Sequence, residues 1–174
     1  MTRKVELVSY DPGWAEMFLT EAEVLCIVFG DQLIAIHHIG STAIPGILAK
    51  PVLDILVEVR IIREIDELNN DMEALGYQPF GENGIPGRRY FVKQFGEAHI
   101  FHIHIFQSGN LELERHLNFR DYLIAHPQDA LAYSRLKEDL ARQFPEDIDN
   151  YVAGKSDFIK NMDDKALEWK QSLL

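Results

Sequence analysis

The sequence predicts a single α+β domain over residues 1–174, with strands through the first two thirds and a helical C-terminal third. Two observations carry that reading. Up to Gln107, short runs rich in Val, Ile and Phe are separated by clusters of Gly, Pro and Asn. After Ser108-Gly109-Asn110 the apolar residues fall at helical spacing instead. A third, the length of 174 residues with no repeat, linker or low-complexity tract, fits one hydrophobic core.

In chain order, Val5 to Val8 is a short strand candidate. Asp11-Pro12 reads as a helix start, with Asp11 as N-cap and Pro12 at the first position. Trp14, Met17, Phe18, Val24, Leu25 and Val28 give the following helix its apolar stripe, and Gly30-Asp31 ends it. Leu33–Ile39 and Val52–Val59 read as strands, and Ile61–Leu75 as an amphipathic helix stopped by Gly76. Tyr77–Phe80 is a further short strand, followed by a turn-rich loop from Gly81 to Gly87. Arg89–Phe95 and His99–Phe106 form a hairpin around Gly96-Glu97-Ala98. Leu111–Ala125, Pro127–Phe144 and Asp147 to the C-terminus are helices, broken at Pro127 and Pro145.

Composition narrows the function. A formal net charge of −11 argues against non-specific nucleic-acid binding, which needs a dominant basic surface, but leaves room for a small anionic ligand held by local cations. No apolar run approaches the roughly 20 residues that span a bilayer, so no membrane partner is expected, and the N-terminus lacks a signal-peptide pattern. The single cysteine, Cys26, lies in an apolar run and fits a reducing, cytoplasmic setting.

The chemistry centres on residues 38–58. Asp54 stands inside the apolar run Val52-Leu53-Asp54-Ile55-Leu56-Val57, an expensive place for an unpaired carboxylate. One reading makes it a metal ligand; the other satisfies it by backbone amides or Lys50. Gly40-Ser41-Thr42 suits a phosphate-binding turn, the glycine admitting the anion and the hydroxyls adding donors. His102 and His104 share one face of their strand and can converge on a cation, or on a phosphate when protonated. His99 has the opposite parity, and of His37 and His38 at most one joins a site. Lys50, Arg88 or Arg89, Arg115, Arg120 and Lys155 are the candidate cations for a phosphate or carboxylate. Gly154 falls inside a helix, which close approach of another element would explain.

The string His38-Ile39-Gly40-Ser41-Thr42-Ala43-Ile44-Pro45-Gly46, with Ala49-Lys50-Pro51, Asp54-Ile55 and His102-Ile103-His104, resembles the GrpB family. Arg115-His116-Leu117, Phe119-Arg120-Asp121-Tyr122-Leu123, His126-Pro127, Tyr133, Leu136-Lys137, Tyr151 and Gly154-Lys155-Ser156-Asp157-Phe158-Ile159 extend the resemblance over most of the chain. Ile39-Gly40-Ser41 followed by Asp54 in an apolar strand is also similar to the signature of polymerase-beta-like nucleotidyltransferases. The resemblance implies a nucleotidyltransferase-like mixed β-sheet with flanking helices. It also implies a site in which Gly40, Ser41 and Thr42 hold a nucleotide or phosphorylated metabolite, with Lys50, Arg89, Arg115, Arg120 and Lys155 as further phosphate contacts. Asp54 and Lys50 would be the catalytic residues. Asp54, His102 and His104 would hold a divalent ion, Mg²⁺ or Mn²⁺ or the softer Zn²⁺.

The sequence departs from the superfamily pattern at Leu56, where a second carboxylate usually stands. Two expectations follow: a metal-dependent nucleotidyltransferase with an unknown acceptor, or a non-catalytic nucleotide-binding or phosphometabolite-binding module that has lost the second metal ligand.

Overall fold

The computed structural model describes residues 3–174. The fold is α+β: helix α1 (Gly13–Phe29), strands β1 (Leu33–Ile39) and β2 (Leu53–Val59), helix α2 (Asn69–Ala74), strands β3 (Tyr77–Pro79), β4 (Arg88–Phe95) and β5 (Ala98–Gln107), and helices α3 (Leu111–Ala125), α4 (Pro127–Gln143) and α5 (Ile148–Ser172). The described residues gather into two compact units. One comprises Pro12–Gly40 and Val52–Glu114; the other comprises the segment up to Asp11, Ser41–Pro51 and Arg115–Leu174.

The first unit holds a mixed five-stranded sheet in the order β1-β2-β5-β4-β3. β2 runs parallel to β5, and every other neighbouring pair is antiparallel. Its place inside the sheet explains the nearly unbroken apolar run of β2: Leu53, Ile55, Leu56, Val57 and Val59 are all fully buried. The β4–β5 hairpin closes through Gly96-Glu97, with Phe95 opposite Ala98, and Gly96 takes φ +60°. The stretch predicted as one helix from Ile61 to Leu75 is instead a 3₁₀ segment, Ile62–Leu68, leading into the short α2. Gly76 follows at φ +88°, the left-handed turn expected of it. The buried side of α1 is Trp14, Glu21, Ala22, Leu25 and Phe29, whereas Met17 is exposed. Glu21 enters that stripe because Tyr77 donates to it at 2.7 Å and Lys93 at 2.9 Å.

The second unit is helical. Ile44 and Ile47 pack with Tyr122, Leu123, Ala130, Tyr133, Met162 and Ala166, and Val5 packs with Leu140 and Tyr151. Val5 to Val8 forms no strand: Val8 makes one isolated antiparallel bridge to Ala49, and the Val5 N–H donates to the Pro145 carbonyl at 2.8 Å. Asp11 precedes the N-cap position of α1, which Pro12 occupies. The three predicted C-terminal helices are present, and Asp147 caps α5 by accepting from the Asn150 N–H at 3.1 Å.

Candidate functional site

In the sheet unit, the carboxylate expected to need a partner has several. Parallel pairing places His102 opposite Asp54 and His104 opposite Leu56, so both imidazoles share the carboxylate's face. His104 Nε2 lies 2.9 Å from Asp54 Oδ1, and His102 Nδ1 lies 3.5 Å from the same oxygen. Arg88 Nη1 sits 3.4 Å from His104 Nδ1. A guanidinium only donates, so Nδ1 accepts and Nε2–H is left to donate to Asp54. Burial alone would raise the Asp54 pKa, but hydrogen bonds from His102 and His104 hold it well below the ordinary carboxylate range.

Gly40 makes room for this group. Its φ is +73°, and a Cβ built there would fall 2.7 Å from Asp54 Oδ2. His99 also joins, against its parity. Lys93 pairs with Phe101 but Gln94 pairs with His99, so β5 carries one extra residue at Ile100. This bulge turns His99 to place Nδ1 2.8 Å from His102 Nε2. Tyr90, opposite His104, lies with its ring centroid 5.2 Å from that of His104 and 5.6 Å from that of His102. The Arg88 guanidinium covers the Tyr90 ring at 4.6 Å and is fixed by the carbonyls of Asn83, at 2.7 Å, and Glu82, at 3.1 Å.

The expected metal ligands therefore converge, but on each other. Mg²⁺ prefers about six oxygen ligands in an octahedron. Here one carboxylate stands between two imidazoles, Leu56 is fully buried where a second acid would serve, and Glu58 lies four residues from Asp54, roughly 13 Å along the strand. Among the described residues, no group of three or more His, Cys, Asp or Glu side chains is spaced to hold an ion. The donor set does not match Mg²⁺.

The helical unit holds a cluster of cations. Lys137 of α4 is only 2% exposed; its Nζ donates to Ser41 Oγ at 2.9 Å and to the Leu48 carbonyl. Among the described residues both hydrogen-bond acceptors are neutral. The Leu48 N–H donates to Ser134 Oγ at 2.9 Å, so α4 fixes both sides of residue 48. Lys137 also sits over the Tyr133 ring at 4.6 Å, while Lys155 and Lys50 lie over Tyr151 at 4.7 and 5.5 Å. Burial first, then the charges of Lys155 and Lys50, push the Lys137 pKa down to about 7. Thr42 is buried beside this cluster's Ser41 in the chain.

Arg89, Arg115 and Arg120 each have a carboxylate beside them. Arg89 makes a two-pronged pair with Asp66, at 2.6 and 3.1 Å, and it is Arg88 that reaches the histidines. Arg115 pairs with Asp163 at 3.3 Å, and Arg120 with its neighbour Asp121 at 2.8 Å.

The GrpB protein family model matches residues 4–165. The chain belongs to the GrpB family. A UPF0157 protein, YqkA of Bacillus subtilis, is 50% identical over 169 residues, 97% of this chain but 49% of that protein, so the chain spans about half the length of that relative. The crystal structure of GrpB from Enterococcus faecalis superposes with a TM-score of 0.92 at 38% identity, covering 95% of this chain and 99% of that one. Cid1, described by its RNA terminal uridylyl transferase activity, has a TM-score of 0.53 at 12% identity over 77% of this chain and 42% of its own, which shows a shared fold alone.

Within this GrpB chain, Lys137 is the functional candidate that spacing and composition did not single out. A signal was present. Ala130, Tyr133, Ser134, Lys137 and Leu140 form the buried stripe of α4, and a lysine at the i+7 position of such a stripe is as misplaced as an aspartate in an apolar strand.

Proposed function

We propose that this GrpB-family chain binds a nucleotide or phosphorylated metabolite through Ser41, Lys50, Lys137 and Lys155, on a nucleotidyltransferase-like fold that has lost its second metal-binding carboxylate. One observation carries the reading: Lys137 is buried, bonded to neutral acceptors, and placed within the field of two more lysines. Burying a cation among cations is unfavourable, and a bound polyanion relieves it. Tyr133 and Tyr151 supply ring faces that hold the ammonium groups while they are exposed to each other's charge.

The experiment is thermal unfolding of the full chain with inorganic phosphate, pyrophosphate and each nucleoside triphosphate, with and without Mg²⁺ or Mn²⁺. Saturation near 100 times Kd stabilises by about 2.7 kcal/mol, a rise of roughly 5–10 °C for a chain of this size. This reading expects a metal-independent rise. No rise with any of these ligands overturns it. A metal-dependent rise accompanied by pyrophosphate release makes the chain an active nucleotidyltransferase instead.

A further inference from the structure

The contact between Ser41 and Lys137 does more than phosphate binding requires. Lys137 Nζ is held by two partners of different kinds, the Ser41 hydroxyl at 2.9 Å and the Leu48 carbonyl. A carbonyl only accepts, so one N–H of Lys137 is committed to Leu48 in either protonation state. As an ammonium, Lys137 also donates to Ser41. As a neutral amine it keeps the bond to Leu48 and turns its lone pair to the Ser41 O–H. Deprotonation thus reverses one hydrogen bond and breaks none. Leu48 cannot drift, because its N–H is held by Ser134 from the same helix. The groups facing Lys137 are Ser41 and the Leu48 carbonyl, which bond either form, the Tyr133 ring, which favours the ammonium, and the charges of Lys50 and Lys155, which favour the amine. A serine hydroxyl with a fixed, neutral nitrogen base at hydrogen-bond distance is the arrangement of a nucleophile and its general base.

We propose that Ser41 is a nucleophile activated by Lys137, and that the site takes an acyl phosphate, whose phosphate group the remaining lysines bind. Ser41 Oγ attacks the carbonyl carbon as its proton passes to the Lys137 amine. The bond from that carbon to the phosphate oxygen breaks, and the departing phosphate oxygen takes the electron pair together with the proton that Lys137 received, leaving as hydrogen phosphate. Lys50 and Lys155 stabilise that charge. The products are an O-acyl ester on Ser41, inorganic phosphate and a Lys137 amine again free of its proton. Water then hydrolyses the ester: Lys137 takes a proton from water and gives it back to the departing Ser41 oxygen. The sum is acyl phosphate plus water going to carboxylate plus phosphate. The lysine cluster favours an acyl phosphate over a carboxylic ester because Lys50 and Lys155 bind the charge its leaving group carries. This inference rests on the phosphate-binding reading above.

The test uses the full chain with acetyl phosphate, followed by intact mass and peptide mapping. The expected result is one acetyl group on Ser41, removed by hydroxylamine as an ester is, with phosphate released in step. Ser41→Ala abolishes that ester. Lys137→Arg keeps the positive charge but has no proton-accepting form at neutral pH, so ester formation falls 10²-fold or more. Where Lys137→Arg does not fold, the wild-type pH profile at subsaturating acetyl phosphate decides: ester formation rises tenfold per unit up to about pH 7 and levels above it. A flat profile, or acetyl groups only on hydroxylamine-resistant lysine amides, overturns the nucleophile. A phosphate shift with no Ser41 ester overturns this inference alone. An ester with no phosphate shift overturns the binding reading and leaves the nucleophile.

Discussion

Leu140 of α4 occupies the space that a side chain on Gly154 of α5 would need. A Cβ at residue 154 would lie 2.4 Å from Leu140 Cδ2 and 3.1 Å from Cδ1. The glycine weakens α5 locally by roughly 1 kcal/mol relative to alanine, and α4 and α5 approach one another in exchange.

Gly154→Ala is accordingly expected to destabilise the fold by about 1–3 kcal/mol, overpacking outweighing the gain in helix propensity. The sign is the informative part. Urea unfolding of Gly154→Ala, Leu140→Ala and the double variant measures it, and the double variant should recover part of the loss through coupling. A Gly154→Ala chain more stable than wild type would show that α5 shifts freely.

Gly40→Ala meets two obstacles, a φ of +73° and the Asp54 oxygen 2.7 Å from the new methyl group. A loss of about 2–4 kcal/mol is expected. In a double-mutant cycle with Asp54→Ala, the steric share of that loss should vanish and the backbone share should remain.

Asp54 gives the fold an acid limb. Its folded pKa lies below its unfolded value of about 3.9, so its stabilising contribution is complete above that pH and is lost as pH falls from there toward the folded pKa. Asp54→Asn should lower stability at pH 7 by about 1–3 kcal/mol through weakened bonds to His102 and His104, and should flatten the decline between pH 4 and pH 2. Unfolding midpoints in urea across that range measure both effects.

Lys137 acts in the opposite direction. Its pKa falls from 10.5 to about 7 on folding, so the unfolded chain binds more protons between those values. Stability should rise with pH through that window, by at most about 1.4 kcal/mol per unit, and the burial penalty is fully present below pH 7. Lys137→Met should remove this slope. Saturating phosphate should move the window upward, because an anion favours the ammonium.

Much of this was legible in the residues, for reasons that differ by element. Leu33–Ile39 and the three C-terminal helices follow from periodicity and from Pro127 and Pro145, which are local signals. The shared face of His102 and His104 follows from strand parity, their place beside Asp54 from the family resemblance, and Gly154 from being out of place in a helix. His99 was hidden because a bulge at Ile100 reverses its parity, and bulges leave no mark in an alternating pattern. That Asp66 and Asp163 stand beside Arg89 and Arg115 is set by tertiary contact, which no spacing in the sequence carries. Lys137 reads as an ordinary helix lysine until the stripe it interrupts is traced along α4.

The two units differ in how the chain supplies them. The sheet unit takes residues 12–40 and 52–114, whereas the helical unit draws on segments ending at Asp11 and Pro51 and closes only with residues from Arg115 onward. On the ribosome, every strand of the sheet is made before the first residue of α4 appears, while Ile44 and Ile47 wait for Tyr133 and Met162 to cover them. The loop that carries Ser41 and Leu48 is therefore synthesised early and acquires its lysine late. Its apolar residues remain open to chaperones throughout that interval, and a chain stopped near residue 114 lacks the helices that would bury them.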